Sequence, residues 1–314
     1  MKNLMRFLKP YKCVAIIAPL FKMLEALLEL FVPLVMTDII DIGIESGDTG
    51  YILKKGLVLI LLALLGLCAS VTAQYFAAKT ATGFARDMKS ELFCHIQDFS
   101  FSKLDTIGTA TLITRLTTDS DKVQNGVNMT LRLFLRSPFI VFGAVIMAFT
   151  INKECAFVML ISIPILAAVV FGIMLGTVPL YTHVQKLLDK SILTVRENLG
   201  GVRVIRAFNM QEGEKRRFET ESLDYADQSL KASKISALLN PITFVIVNVA
   251  LVVILYSGAI KVDIGTITKG QLIAIVNYMS QILVELIKLA DLIIVITRSL
   301  SSAKRIDEVF QING

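Results

Sequence analysis

Apolar residues come in six long runs, at about 14–40, 55–78, 137–151, 155–178, 241–260 and 270–296, and polar residues collect between them in stretches of very unequal length. Each run approaches the ~20 residues a helix needs to cross a hydrocarbon core of ~30 Å. The connections near 41–54, 152–154 and 261–269 are short, whereas those near 79–136 and 179–240 each extend for about sixty residues. Both long connections are rich in helix formers and keep a helical period that breaks near the middle. The pattern predicts an all-α membrane protein of six transmembrane helices. Two of its connections, 79–136 and 179–240, are helical hairpins that prolong the spans beyond the bilayer. At ~27 residues per arm and 1.5 Å per residue, each hairpin reaches ~40 Å outward.

The second hairpin contains a charged stretch, Arg196 to Phe218, that is unlike the apolar runs on either side of the hairpin. Leu199, Val202 and Ile205 recur every three residues, then the period breaks and a short charged helix is predicted from Asn209 to Arg216. Asn209 is expected to cap that helix, with Glu212 at the third position after it in capping-box spacing. A charged, capped turn between apolar spans suits mechanical contact with a soluble partner. At the other end of the chain, Met1 to Tyr11 alternates Leu4, Met5, Phe7 and Leu8 with Lys2, Arg6 and Lys9. Residues 1–12 are therefore expected to form an amphipathic elbow helix at the cytoplasmic headgroup surface. Residues 13–300 form the membrane domain with its two hairpins, and 301–314 form a linker towards a further domain.

Charge orients this arrangement. The short connections hold Lys54, Lys55, Lys153, Lys261 and Lys269, while the N-terminus, the long connections and the C-terminal end hold nearly all other Lys and Arg. By the positive-inside rule both termini and both hairpins are cytoplasmic. Prolines 19, 33, 138, 164, 179 and 241 punctuate the spans, and each is expected to bend its helix.

Composition agrees: 54% of residues are hydrophobic and 18% charged. The net charge of +6 follows membrane sidedness and does not indicate nucleic acid. The four cysteines, Cys13, Cys68, Cys94 and Cys155, have no metal-ligand spacing and read as small apolar fillers. No Gly-Lys dipeptide occurs, so the chain lacks a phosphate-binding loop, and no catalytic motif is present. The chemistry on offer is a set of ionisable residues inside the spans: Lys22, Glu25 and Glu29 in the first, Glu285, Lys288 and Asp291 in the sixth. A charge near the bilayer centre costs ~2.5–3.5 kcal/mol on the insertion scale, against ~0.3–0.6 kcal/mol returned by an apolar residue. These side chains should therefore face a wet interior or a partner. Spacings of three and four allow local pairing, including Lys288 with Asp291. The expected arrangement is a polar cavity wall formed by Glu25, Glu29, Glu285 and Lys288, with Asn248, Asn277 and Gln281 as weaker contributors. Carboxylates outnumber lysines in this set, which favours cationic amphipathic cargo.

Three stretches, FSFSKLDTIGTATLITRLTTDSDKVQ (Phe99–Gln124), ENLGGVRVIRAFNMQEGEKRRF (Glu197–Phe218) and SAKRIDEVF (Ser302–Phe310), resemble the membrane domain of ATP-binding-cassette exporters, in that family's order between six spans. DIIDIGIESGDTGYI (Asp38–Ile52) looks like the bacterial multidrug branch. The resemblance implies a domain-swapped dimer of half-transporters, homo- or heteromeric with the heterodimer favoured, in the bacterial cell membrane and in contact with its lipid. It implies nucleotide-binding domains that bind ATP and Mg2+, making the complete transporter an ATPase, while this chain binds neither. Asp105, Thr106, Ile107 and Gly108 match the first coupling helix, and Arg206, Phe208, Asn209, Glu212 and Arg216 the second, which in the family contacts the partner's nucleotide-binding domain. Arg115 and Asp119 brace the arm after the first turn. The implied function is export of amphipathic drugs or lipids by alternating access. The alternatives are a lipid flippase or peptide exporter of the same family and, further off, a six-span channel or ion-coupled transporter without an ATPase.

Overall fold

A computed structural model describes residues 2–312; Met1, Asn313 and Gly314, the extremes of the predicted elbow and linker, lie outside the described residues. The described residues form helices and turns without a strand. The chain divides into two compact units, one of residues 1–161 with 250–314 and the other of residues 162–249.

In the first unit a short helix α1 (Lys2–Met5) and a 3-10 turn (Arg6–Tyr11) lead into α2 (Lys12–Asp38) and a π-helical segment (Ile39–Ile44). Then come α3 (Thr49–Gln97), α4 (Phe101–Ile107), α5 (Thr109–Thr114), a π-helical turn (Arg115–Asp119), α6 (Ser120–Leu133) and α7 (Arg136–Ile151). Helix α8 (Lys153–Gly200) begins here, α11 (Leu239–Asp263) ends here, and α12 (Lys269–Phe310) closes the chain.

Small residues set how α2 and α3 pack. Ala69, Ala73, Ala77, Ala81 and Ala85 recur every fourth residue on α3 and are almost fully buried. They meet the α2 stripe of Ala18, Lys22, Ala26 and Leu30. Four-residue spacing puts each set on one helical face, and the missing side-chain bulk lets the backbones approach, the favoured packing where lipid removes the hydrophobic drive. Lys22 is a buried charge in the seam; its Nζ donates to Glu25 Oε2 (2.5 Å) and to Ser70 Oγ (3.1 Å). Helix α12 packs on α2, α6 and α7. The Tyr278 hydroxyl donates to the Leu30 carbonyl (2.8 Å).

Among the described residues, four helical stretches, Thr49–Gln97, Thr109–Ile151, Lys153–Gly200 and Gln211–Asp263, are long and apolar enough to cross a membrane. They contain the second to fifth predicted spans. The first and sixth predicted spans fall on α2 and on the front of α12, the two helices that carry the ionisable residues expected within the membrane. Two prolines differ from expectation. Pro138 and Pro241 sit in the first turns of α7 and α11, where no intrahelical donor is needed, so they mark helix starts and not bends. The outgoing arm of the first hairpin is also shorter than expected. Helix α3 stops at Gln97, ~30 Å past the predicted span at 1.5 Å per residue, because the next residues form the separate helix α4.

The second unit is a helical hairpin. The end of α8 runs antiparallel to α10 (Gln211–Ala237), with the short α9 (Val202–Ala207) between them. Glu221 on α10, 7% exposed, accepts from Thr194 Oγ1 of α8 (2.7 Å) and faces Lys190 (3.4 Å). Arg217 bridges Glu221 (3.6 Å) and Glu197 (3.4 Å).

Candidate functional site

The first turn is built on a mixed face. Phe101, Asp105 and Thr106 are exposed, while Leu104 and Ile107 of the same helix pack inward. Gly108 ends α4 at φ +83°, a conformation open to glycine and strained for other residues. Beneath it lies a core of Phe99 and Leu112 from the turn, Phe84, Met88 and Leu92 from α3, and Ile306 and Val309 from α12. Leu4 and Phe7 complete this core. The apolar side of the predicted elbow is thus spent on protein, with Leu4 5% and Phe7 7% exposed. The end of α3 is fastened to the end of α12 by His95, whose Nε2 lies 3.2 Å from Val309 O and 3.0 Å from Ile312 O. Both partners are carbonyl acceptors, so Nε2 carries the proton.

Asp119 is the polar centre of the arm and is 1% exposed. Its Oδ2 accepts from Arg115 Nη1 (2.8 Å) and Arg305 Nε (3.0 Å), its Oδ1 from Ser302 Oγ (3.0 Å) and from Arg305 Nη2. The Arg305 fork is bidentate, the strong geometry for a carboxylate. Asp119 precedes the third apolar segment and lies outside the predicted spans. Burial alone pushes its carboxyl up, but the hydrogen bonds from Arg305, Arg115 and Ser302 outweigh burial and hold it below the ordinary range. The sequence pointed to Arg115 and Asp119 but not to Arg305 or Ser302, whose partner lies 186 and 183 residues away.

The second turn departs from its expected form. No helix begins at Asn209. Helix α9 ends there: Asn209 is left-handed at φ +54°, Met210 N donates to Ile205 O (2.9 Å) and Asn209 N to Arg206 O (3.3 Å). That pair of bonds is a Schellman closure with Asn at the left-handed position. The predicted short charged helix is the first part of the 27-residue α10, whose N-cap is Met210 without a side-chain cap bond. Arg206, Phe208, Asn209, Glu212 and Arg216 are all exposed, Phe208 at 74%. Beside them Val195, Leu199, Val202, Ile205 and Phe218 line an apolar groove of about 390 Å³.

In the first unit, where α2, α7 and α12 meet, four of the expected wall residues gather around one that sequence reasoning missed. Arg136, 7% exposed at the start of α7, donates to Glu285 Oε1 (2.5 Å) and Glu29 Oε2 (2.7 Å), and Glu25 lies at 4.0 Å. Glu285 also accepts from Ser137 Oγ (2.8 Å) and Lys288 Nζ (2.9 Å). Lys288 thus pairs with Glu285 and not with Asp291, which is exposed. Gln281 lies one turn before Glu285 and keeps a buried amide oxygen without a partner, whereas Asn277 is exposed. Asn248 belongs to the second unit, where its amide donates to Phe244 O (2.7 Å). Arg136 changes the expected charge balance: Lys22, Arg136 and Lys288 match Glu25, Glu29 and Glu285 one for one.

Comparison with known proteins places these features in a family. A model described as the ABC transporter transmembrane region matches residues 15–286. The chain is similar to an uncharacterized ABC transporter ATP-binding protein of Bacillus subtilis, 31% identical over all of this chain and 55% of that protein. It is equally similar, 31%, to one of Mycobacterium tuberculosis, over 98% of this chain and 53% of the relative. A putative export ATP-binding/permease protein of Rickettsia bellii is 23% identical over 88% of the chain and 48% of its own length. The chain spans about half the length of the relatives it matches.

Proposed function

The chain belongs to the family of ABC transporter transmembrane regions, and from that premise we propose that it is the membrane half of an ATP-driven exporter. Its apolar helices and its family make it a multi-pass membrane protein. In this reading it crosses the bacterial plasma membrane six times, with both termini and both hairpins in the cytoplasm. It pairs with a second half-transporter, and the heterodimer is preferred. The cargo is an amphipathic drug or lipid taken from the cytoplasm or inner leaflet.

In this reading ATP and Mg2+ are not held by this chain, which has no Gly-Lys dipeptide for a phosphate loop. They belong to the nucleotide-binding domains. Movement of those domains reaches this chain through its two turns. The observation that carries the reading is the joint beneath the first turn. Leu104 and Ile107 share a core with Ile306 and Val309, and Asp119 grips Arg305 and Ser302 in the same stretch of α12. A push on α4 is therefore delivered to α3 and α12 together. The second turn supports the reading by offering Phe208 and Met210, large apolar side chains 74% and 55% exposed, at the closed end of α9. Two packings of the bundle, biased by the nucleotide domains, give alternating access.

The test is Phe208→Ala or Glu212→Ala in the full-length protein. Cargo-stimulated ATPase falls while ATP binding is retained. Stimulation at the unaltered level in both variants removes the second turn from the coupling path.

A further inference from the structure

Arg136 joins three helices through one guanidinium. It opens α7, its Nη1 is bonded to Glu285 of α12 and its Nη2 to Glu29 of α2. The two ends of this joint are unequal. Glu285 is 3% exposed and has three donors, Arg136, Ser137 and Lys288. The Glu29 side chain is 42% exposed, and Arg136 is the donor described for it. Parting Arg136 from Glu285 breaks an ion pair covered on both sides, at 8% and 4% side-chain exposure, which is costly. Glu29 is covered only in part, and in the exporter reading its open side faces the wet cavity, where a freed carboxylate costs far less. The α2 end therefore yields first. A seat selective for cations needs surplus negative charge, and this cluster is balanced, three bases against three acids.

We propose that Arg136 is a positioning residue of the transport cycle: a staple anchored on α7 and α12 whose releasable end, Glu29, governs when α2 parts from them. The role in transport and the order of release rest on the exporter reading above; the bonds of Arg136 to α12 and α2 do not. Tyr278 on α12 is a second tie to α2, through the Leu30 carbonyl, so loss of the staple loosens α2 without freeing it.

Amide hydrogen exchange of the full-length protein in lipid nanodiscs tests the asymmetry. With Glu29→Gln, peptides of α2 around 22–32 exchange about tenfold faster, the scale set by a hydrogen bond to a charged group, while α12 around 279–290 keeps its rate. Arg136→Lys, which retains the charge but not the fork, falls between the two. Equal change in both helices, or none in either, overturns the staple. Efflux is then followed with a permanently cationic dye and a neutral one. The staple predicts that Glu29→Gln lowers both by the same factor; a loss confined to the cationic dye makes Glu29 a cargo contact and overturns the proposal. If the unaltered protein moves neither dye with ATP, the exporter reading fails for such cargo, and the exchange measurement still decides the staple.

Discussion

Replacing Asp119 by Asn removes one charge from the arm and changes its shape little. The unaltered carboxylate satisfies Arg305 through two nitrogens and also serves Arg115 and Ser302. Breaking a buried ion pair from one side typically costs ~3–5 kcal/mol. The Arg305 side chain is 33% exposed, so water takes up part of that loss and ~2 kcal/mol remains. A local free-energy change of that size speeds exchange ~30-fold in any segment that opens through this joint. The assay is hydrogen exchange of full-length protein on peptides covering 112–123 and 299–310, with Lys304→Gln as a control at an exposed neighbour. Both peptides lose protection in Asp119→Asn and keep it in the control. Unchanged rates in both would mean that packing of Ile306 and Val309, and not the carboxylate, holds α12 to the arm.

The same carboxyl predicts a pH dependence. Its folded value lies below the unfolded value of ~3.9, so its contribution is fully present above that value and is lost as pH falls through the lower folded one; protection of residues 302–309, corrected for intrinsic exchange, stays level from about pH 8 to 5 and drops only below about 4. At the second turn, Asn209→Gly preserves the left-handed closure, whereas Asn209→Val costs ~1–2 kcal/mol and deprotects the Met210 amide. In the α2–α3 seam, Ala77→Leu forces apart helices that meet through fully buried alanine; the ~1–3 kcal/mol of overpacking lowers the temperature of thermal aggregation in detergent.

The all-helical fold and its long apolar stretches were legible because their signals are local and repeated: apolar runs of membrane length, and helical periods that continue beyond them. What the sequence hid was long-range or ambiguous. Arg136 stands at the edge of an apolar run, where a basic residue reads as a flank of the span, and nothing nearby reveals that Glu29 and Glu285 converge on it from 107 and 149 residues away. Arg305 sits in a charged stretch whose other members are mostly exposed. Asn209 was misread because asparagine suits both a helix N-cap and a left-handed C-terminal position; the Glu212 spacing favoured the first, and the backbone chose the second. The apolar side of residues 4–8 was visible, but whether it meets lipid or protein depends on Phe84 and Ile306, far away in the chain.

The central claim is that these helices are driven by ATP hydrolysed elsewhere in the transporter. Inside-out membrane vesicles carrying the full-length protein with its partner subunit test it directly. Addition of ATP should drive amphipathic dye into the vesicles, and the uptake should survive collapse of ion gradients by ionophores. Uptake that ignores ATP and follows an ion gradient would contradict the account.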